Sequence, residues 1–380
     1  MRQYKKHFYT ALITFGSIVT TLGLLFLLRL SPDISEGWSR SISRFEQLVA
    51  SYLFGWLPFS MFELFIWGII IYVLIWLAML IRHLVRFNTK GSSKYWLNFG
   101  IVISLIFTVY MGTAGMEYNR YPVDIPLHTE LINDTSEYKT IASYFQDDYN
   151  EISNVLSYNE DGSLIKTYTH NEMNQIMHEE FKKLDSDYYT QETAKAKQMY
   201  MWGWLYRELH ITGIAFAPTG EANINPLITA GEYPFTMAHE IAHTKGIIRE
   251  EDANLVAAYI CLTSSDPYLR YSGYVWTISS LAYLVKCTNN PEDYKAFQTG
   301  FSENCVKDSQ ARYQYWTNHD MLSKFSNWLN DIYLKIQGNG GTSSYDDNID
   351  VGQEDGVYKV NSYSRYQALY LWIYYDLLGK

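Results

Sequence analysis

Two histidines four residues apart, with a glutamate directly after the first, form a pattern that could do chemistry. His239, Glu240 and His243 fit the sequence H-E-x-x-H. On an α-helix, side chains four positions apart lie on one face, so both imidazoles can point at a single cation such as zinc. Glu240 would lie beside the cation, where it can take a proton from water and pass it to a leaving amine. The spacing predicts a zinc centre with Glu240 as general base.

A catalytic zinc ion usually has three protein ligands and one open position for water, so a third ligand is needed. We expect Glu250 to supply it from the first turn of a following helix. Glu251 and Asp252 are alternatives, because helix boundaries predicted from sequence are uncertain by a few residues. Asn254, four residues after Glu250, shares its helix face and is predicted to hold a ligand in place.

Two helices must position these groups. Pro234 suits the first turn of a helix, where its missing N–H is harmless, and Gly246 suits the position just after a helix C-terminus. Gly246 also allows a sharp reversal of the chain. The segment REEDANLVAAYICL that follows is predicted to form a second helix packed against the first, so that Glu250 faces the histidines.

A hydrolase of this kind also needs a strand edge to align the substrate backbone and a donor for the oxyanion. The segment from Ile211 to Ala217 contains β-branched and aromatic residues and precedes Pro218 and Gly220, so a strand that leads into a turn is predicted. This strand is either the substrate-aligning edge or an ordinary core strand. Four side chains could supply the donor: Tyr271, Tyr274, His210 and Arg270.

Three apolar stretches occupy the first third of the chain, near residues 9–28, 64–81 and 95–116. Each is close to the roughly 20 residues that a helix needs to cross a bilayer. The first is long for a signal peptide and is followed by no convincing small-x-small cleavage site, so we expect it to be retained. The sequence predicts a membrane anchor over residues 1–120 and a second domain over residues 121–380.

Basic residues predict the orientation of these spans. Lysine and arginine are concentrated at the N-terminus and in the connection after the second span, at Arg2, Lys5, Lys6, Arg82, Arg86, Lys90 and Lys94. Such segments remain in the cytoplasm. With three spans, the domain that follows is expected on the outer side of the cytoplasmic membrane.

The charge balance excludes one class of partner. The chain has 30 Lys and Arg against 40 Asp and Glu, and the excess of acid lies after the apolar third. Nucleic-acid binding needs clustered basic residues, so no nucleic-acid partner is expected. The three cysteines, Cys261, Cys287 and Cys305, also lie in the acidic part. They could include a Cys287–Cys305 disulfide or remain three reduced buried thiols.

Apolar residues at helical spacing predict a mainly α domain with a small sheet. The predicted helices cover residues 136–156, 170–184, 191–209, 273–287, 291–301, 309–334 and 364–378. Residues 338–356 are rich in glycine and acidic side chains and are predicted to form a loop.

Two resemblances extend these expectations. The E-x-x-A-N that follows H-E-x-x-H resembles the gluzincins, zinc peptidases in which a glutamate on a second helix completes the site; this implies zinc ligation by His239, His243 and Glu250. Over nearly its whole length, the chain resembles a family of bacterial three-span membrane proteins known as domain of unknown function 3810. The segments that carry this resemblance are TGEANIN, PFTMAHEIAHTKGIIREEDANLVAAYICL, SSDPYLRYSGY, YLKIQGNGG and SYSRY. That family implies no activity. The interval from His243 to Glu250 is shorter than in most gluzincins.

The motif and the spans together predict a membrane-anchored zinc metallopeptidase of zincin-like fold that cleaves a peptide or protein substrate outside the cytoplasmic membrane. The alternative is a non-hydrolytic envelope protein in which zinc joins two helices or shapes a binding surface. Hydrolysis of a non-peptide amide is also compatible with the motif.

Overall fold

A computed structural model describes residues 2–86, 89–184, 195–336, 350–354 and 357–380. The fold is mainly helical and has a small mixed sheet, as predicted.

Three long apolar helices lie in the first third of the chain: α1 (Arg2–Leu28), α4 (Met61–Val85) and α5 (Thr89–Thr113). Each contains a stretch long and apolar enough to cross a membrane, at Phe8–Leu28, Met61–Val85 and Tyr95–Thr113. These stretches match the three predicted spans to within a few residues. The protein is therefore a membrane protein by the length and composition of these helices.

The connection between the first two long helices is itself helical, which the sequence analysis did not predict. It contains α2 (Pro32–Trp38), a π-helical turn (Ser39–Ser43) and α3 (Arg44–Phe54). Ser31 caps α2 by accepting a hydrogen bond from the Ile34 amide. This connection packs against the part of the chain that follows α5, so both lie at the same end of the long helices.

After α5 the chain forms helices around a three-stranded sheet. The helices are α6 (Glu137–Val155), α7 (His170–Lys182), α8 (Gly203–Glu208), α9 (Tyr233–Thr244), α10 (Glu250–Thr263), α11 (Pro267–Thr277), α12 (Ser279–Lys286), α13 (Pro291–Thr299), α14 (Glu303–Asn318), α15 (Ser323–Ile336) and α16 (Arg365–Trp372). The sheet contains β1 (Lys197–Gln198), β2 (Gly213–Phe216) and β3 (Glu221–Ile224), in the order β1-β3-β2. Strands β4 (Asp350–Glu354) and β5 (Val357–Ser362) form a separate hairpin.

The core of this domain lies around α9 and α10. Almost every residue of α9 is buried, and both faces of the helix are covered, one by the sheet and the other by α10 and α11. The three cysteines are free and buried, so the structure has the three thiols and no Cys287–Cys305 bridge.

Several predicted boundaries were wrong. The predicted helix over residues 191–209 is interrupted: residues 191–194 lie outside the described residues, Lys197–Gln198 is a strand, and the helix covers only Gly203–Glu208. Strand β3, which follows the turn at Gly220, was not predicted. The end of the predicted loop over residues 338–356 contains β4, while residues 338–349 lie outside the described part. In each case strand pairing outweighs a weak local preference: β1 pairs with β3, β3 also pairs with β2, and β4 pairs with β5.

Candidate metal centre

Helix α9 carries the two histidines and ends as the sequence predicts. Pro234 lies in its first turn. Gly246 has a φ of +86°, and the Ile247 amide donates to the carbonyl of Ala242 at 3.2 Å. This is the Schellman arrangement, in which glycine takes the left-handed position that other residues disfavour. The chain reverses there and enters α10 after three more residues.

An arginine selects which acidic side chain faces the histidines. Arg249 precedes α10 and binds Asp252, with its Nε 2.8 Å from Oδ2. Asp252 is almost fully buried and also accepts a bond of 2.5 Å from Arg365. Glu251 points to Arg249, at 3.7 Å. Both alternatives to Glu250 are therefore paired with arginine, and Glu250 alone of the three turns towards α9.

The structure brings the three predicted ligands together. His239 Nε2 lies 3.0 Å from His243 Nε2 and 3.2 Å from Glu250 Oε2. His243 Nε2 lies 3.5 Å from the same carboxylate oxygen. Among the described residues, this is the group of three His, Cys, Asp or Glu side chains with the geometry to hold a metal ion.

The spacing of the three atoms suits a small tetrahedral cation. Ligand atoms placed 2.0–2.1 Å from a tetrahedral zinc ion lie about 3.3–3.4 Å from one another, and the three observed separations bracket that value. The Nδ1 atom of His243 is 2.7 Å from the carbonyl oxygen of Ile247. A proton on Nδ1 makes this a hydrogen bond and leaves the lone pair of Nε2 free for a metal. Two imidazoles and a carboxylate are a ligand set that zinc accepts.

The electrostatics of the centre favour a positive charge. Burial alone would lower the pKa of His243, but the adjacent Glu250 carboxylate outweighs burial and raises that pKa to about 9. Burial would raise the pKa of Glu250, and the two imidazoles reverse this and hold it below its usual range. A proton and a metal ion therefore compete for the same position, because metal ligands must be deprotonated.

Glu240 lies on the sheet side of α9. It is buried, and burial raises the pKa of its carboxyl although the neighbouring histidines act in the opposite direction. The carboxyl packs over Gly213 in β2 so closely that a Cβ on that glycine would be 2.6 Å from Oε1. Gly213 was not singled out in the sequence analysis, although a glycine in a strand is the usual sign of a close approach.

Two tyrosines that interact electrostatically with Glu250 were also missed. The hydroxyls of Tyr118 and Tyr333 are 2.9 Å apart. Burial raises the pKa of both phenols, and the charge of Glu250 adds to the rise. They are 215 positions apart in sequence, so no local pattern could have joined them to the motif.

The four predicted oxyanion donors have other partners. Tyr271 donates to Asp308 and Tyr274 donates to Asp148. Arg270 lies 3.6 Å from Asp148, and His210 Nε2 lies 2.9 Å from the carbonyl oxygen of His319.

The predicted role of Asn254 stays a prediction. Its side chain is partly exposed on α10, and among the described residues no hydrogen bond joins it to the three clustered side chains.

A family model with the description "Protein of unknown function (DUF3810)" matches residues 38–351, which is more than four-fifths of the chain and includes α4, α5 and the whole candidate centre. No curated protein and no solved structure matches the chain.

Proposed function

The chain belongs to the DUF3810 family, whose description assigns no function, and from the residues of its candidate metal centre we propose that it is a membrane-anchored zinc metallopeptidase. The observation that carries the proposal is the convergence of His239, His243 and Glu250 at tetrahedral spacing, with Glu240 one residue after the first histidine.

Each residue has a defined part in peptide hydrolysis. His239 and His243 on α9 and Glu250 on α10 would hold the zinc ion. Bound zinc supplies Lewis-acid chemistry: it lowers the pKa of water and polarises a carbonyl. Glu240 accepts the proton of the attacking water on its carboxylate and delivers it to the amide nitrogen as the peptide bond breaks. A buried carboxyl with a raised pKa suits both steps.

Strand β2 supports a peptide as the substrate. Among the described residues β2 forms strand pairs with β3 alone, and at its other edge the Ala215 amide donates to the Glu240 carboxyl. An extended peptide can add to such an edge through main-chain hydrogen bonds. Glu240 lies directly against β2 at Gly213, so a peptide on this edge would pass close to the general base. The edge strand, the motif helix and the glutamate helix together support a zincin-like fold.

The domain that holds the site is proposed to lie outside the cytoplasmic membrane. The basic N-terminus and the basic segment after the second span favour the cytoplasm. With three spans, the connection between the first two spans and the domain after the third lie on the same side of the membrane. The helical connection packs on that domain, which agrees with this arrangement.

The ligand set is tested by metal analysis of the full-length protein in detergent. One zinc ion per chain is expected for the wild type, and Glu250→Gln and His243→Ala are expected to lose it. Glu251→Gln is the matched control, because the Glu251 carboxylate points to Arg249 and not to the histidines. This variant should keep the zinc content of the wild type. Zinc-free wild type, or equal zinc in both glutamate variants, would contradict the proposed centre.

The reaction is tested with Glu240→Gln on a quenched fluorescent peptide library. This variant should keep its zinc and lose roughly a hundredfold to ten-thousandfold in hydrolysis, the usual contribution of a general base. Equal hydrolysis by the variant would remove Glu240 from the mechanism. A zinc-bound wild type that cleaves no peptide would favour the non-hydrolytic scaffold instead.

A further inference from the structure

The turn between the two ligand helices rests on the end of the third span. Ile248, between His243 and Glu250, packs in a small core with Ala114 and Tyr118, which directly follow α5. In the same turn, the carbonyl of Gly246 accepts a hydrogen bond of 2.9 Å from Arg120. The turn that joins the two ligand-bearing helices is thus in contact with the first residues that leave the membrane-spanning segment.

The sheet is attached to the start of the second span. Phe216 of β2 packs against Phe62 and Phe65 of α4, with ring centroids 5.2 and 5.1 Å apart. Glu221 of β3 is fully buried and accepts hydrogen bonds from the Met61 and Phe62 amides, at 3.0 and 3.2 Å. The edge strand proposed to align a substrate is therefore also at the end of a span.

An amphipathic helix lies beside the same end. Helix α15 exposes large apolar side chains at helical spacing: Phe325, Trp328, Leu329 and Ile332. Phe325 is 53 % exposed and Trp328 is 57 % exposed. The hydroxyl of Tyr333 on this helix is 2.9 Å from that of Tyr110, three residues before the end of the third span. A helix with this pattern at this level suits the bilayer interface, where apolar and aromatic side chains are buried among headgroups.

Helix α3 has the same character. Gln47 and Ala50 face the C-terminal domain, where Ala50 packs against Gly220. The opposite face exposes Phe45, Tyr52 and Leu53. Because α3 lies between two spans in sequence, this exposed apolar face is suited to contact with the membrane surface. The sheet, the metal centre, α3 and α15 therefore lie at the same end of the long helices, and α3 and α15 are suited to the membrane interface.

We propose that the substrates of this site are polypeptides tethered in the same bilayer, cleaved in the segment next to their membrane anchor. The proposal rests on the metallopeptidase function above and names its substrate class. A tethered chain is held at an effective concentration in the millimolar range near the surface. A site whose adjoining turn and sheet contact the ends of two spans lies where such a segment emerges. A free peptide has no such advantage.

The test uses full-length protein in vesicles of phosphatidylcholine and phosphatidylglycerol, with a randomised quenched nonapeptide in three forms. The short-spacer form carries a two-chain lipid anchor through a Gly-Ser spacer of about four residues, which spans roughly 10–12 Å. The long-spacer form carries the same anchor through a spacer of about forty residues, which spans roughly 35 Å. The free form has no anchor. The short-spacer form should be cleaved at least tenfold faster than the free form and no slower than the long-spacer form. Glu240→Gln should cleave all three forms at least roughly a hundredfold more slowly than the wild type.

The outcomes separate the two proposals. Equal rates for the free and short-spacer forms, or cleavage of the long-spacer form alone, would overturn the substrate class and leave the peptidase intact. Failure of the wild type to cleave any form would contradict the peptidase, and the substrate class with it.

A second measurement needs no catalysis. All three native cysteines are buried, so a fluorophore on Phe325→Cys reports on α15 alone. Spin-labelled lipid should quench this label strongly, and a label on Val155→Cys, an exposed position at the end of α6, should be quenched little. Equal quenching at the two positions would show that the domain does not rest on the bilayer through α15.

Discussion

At the scale of single residues, Gly213 determines where Glu240, the proposed general base, can lie. The Glu240 carboxyl occupies the space that a side chain at position 213 would need: a Cβ there would be 2.5 Å from Cγ of Glu240. The proposed zinc ligands lie outside this contact, since His239 and His243 interact with Glu250 instead. A change at Gly213 should therefore separate metal binding from hydrolysis.

Gly213→Ala is expected to keep one zinc ion per chain and to lose roughly a hundredfold in peptide hydrolysis, because a displacement of about 1 Å in a catalytic group has that effect. Zinc content and hydrolysis of the peptide library are the measurements. Gly203→Ala is the control, since its new Cβ would meet its nearest neighbour, Asn225 Oδ1, at an ordinary 3.4 Å. Undiminished hydrolysis by Gly213→Ala would mean that Glu240 does not need its observed position.

At the scale of secondary-structure elements, a buried ion pair joins the sheet to the second span. Lys197 of β1 and Glu221 of β3 contact each other and are both buried. Glu221 also accepts from the first amides of α4, where a negative charge is favoured by the helix dipole. Lys197 donates to the carbonyl of Phe54 at the end of α3. One pair thus connects two strands and two helices near the membrane.

Glu221→Ala should destabilise this junction by about 3–5 kcal/mol, because it leaves Lys197 buried without its partner. Hydrogen exchange of the Met61 and Phe62 amides should become roughly tenfold faster or more. In the control variant Glu303→Ala, which removes an exposed pair with Lys307, stability should change by less than about 0.5 kcal/mol. Unchanged exchange at Met61 and Phe62 would show that other contacts hold the sheet on α4.

At the scale of the whole molecule, the proposed metal joins two helices that belong to the core of the domain. Helices α9 and α10 pack on each other and carry many of its fully buried residues. Metal bound only by the folded protein stabilises it by about 2.7 kcal/mol when free zinc is a hundred times the dissociation constant.

Removal of zinc with a chelator should therefore lower the thermal unfolding temperature by several degrees, and added zinc should restore it. Differential scanning fluorimetry in detergent measures the shift. His243→Ala should start near the unfolding temperature of the metal-free wild type and show no response to the chelator. An equal response by this variant would mean that zinc stabilises the protein at another place.

The sequence alone was sufficient for features that depend on neighbouring residues. The three apolar stretches predict three long apolar helices because bilayer thickness sets a length that can be read locally. Pro234 and Gly246 predict the ends of α9 because each has a conformational preference of its own. The histidines converge because their spacing matches one helical turn.

Only the tertiary structure decided what depends on distant partners. Glu250, and not Glu251 or Asp252, faces the histidines because Arg249 and Arg365 pair with the other two carboxylates, and Arg365 is 113 positions from Asp252. Strands β1 and β3 form because they pair with each other, which outweighs their weak local preferences. The position of the candidate centre on the ends of two spans follows from contacts such as Ile248 with Tyr118. Contacts between residues so far apart leave no periodic pattern in the sequence, so the relation of the site to the membrane emerges only when the chain is folded.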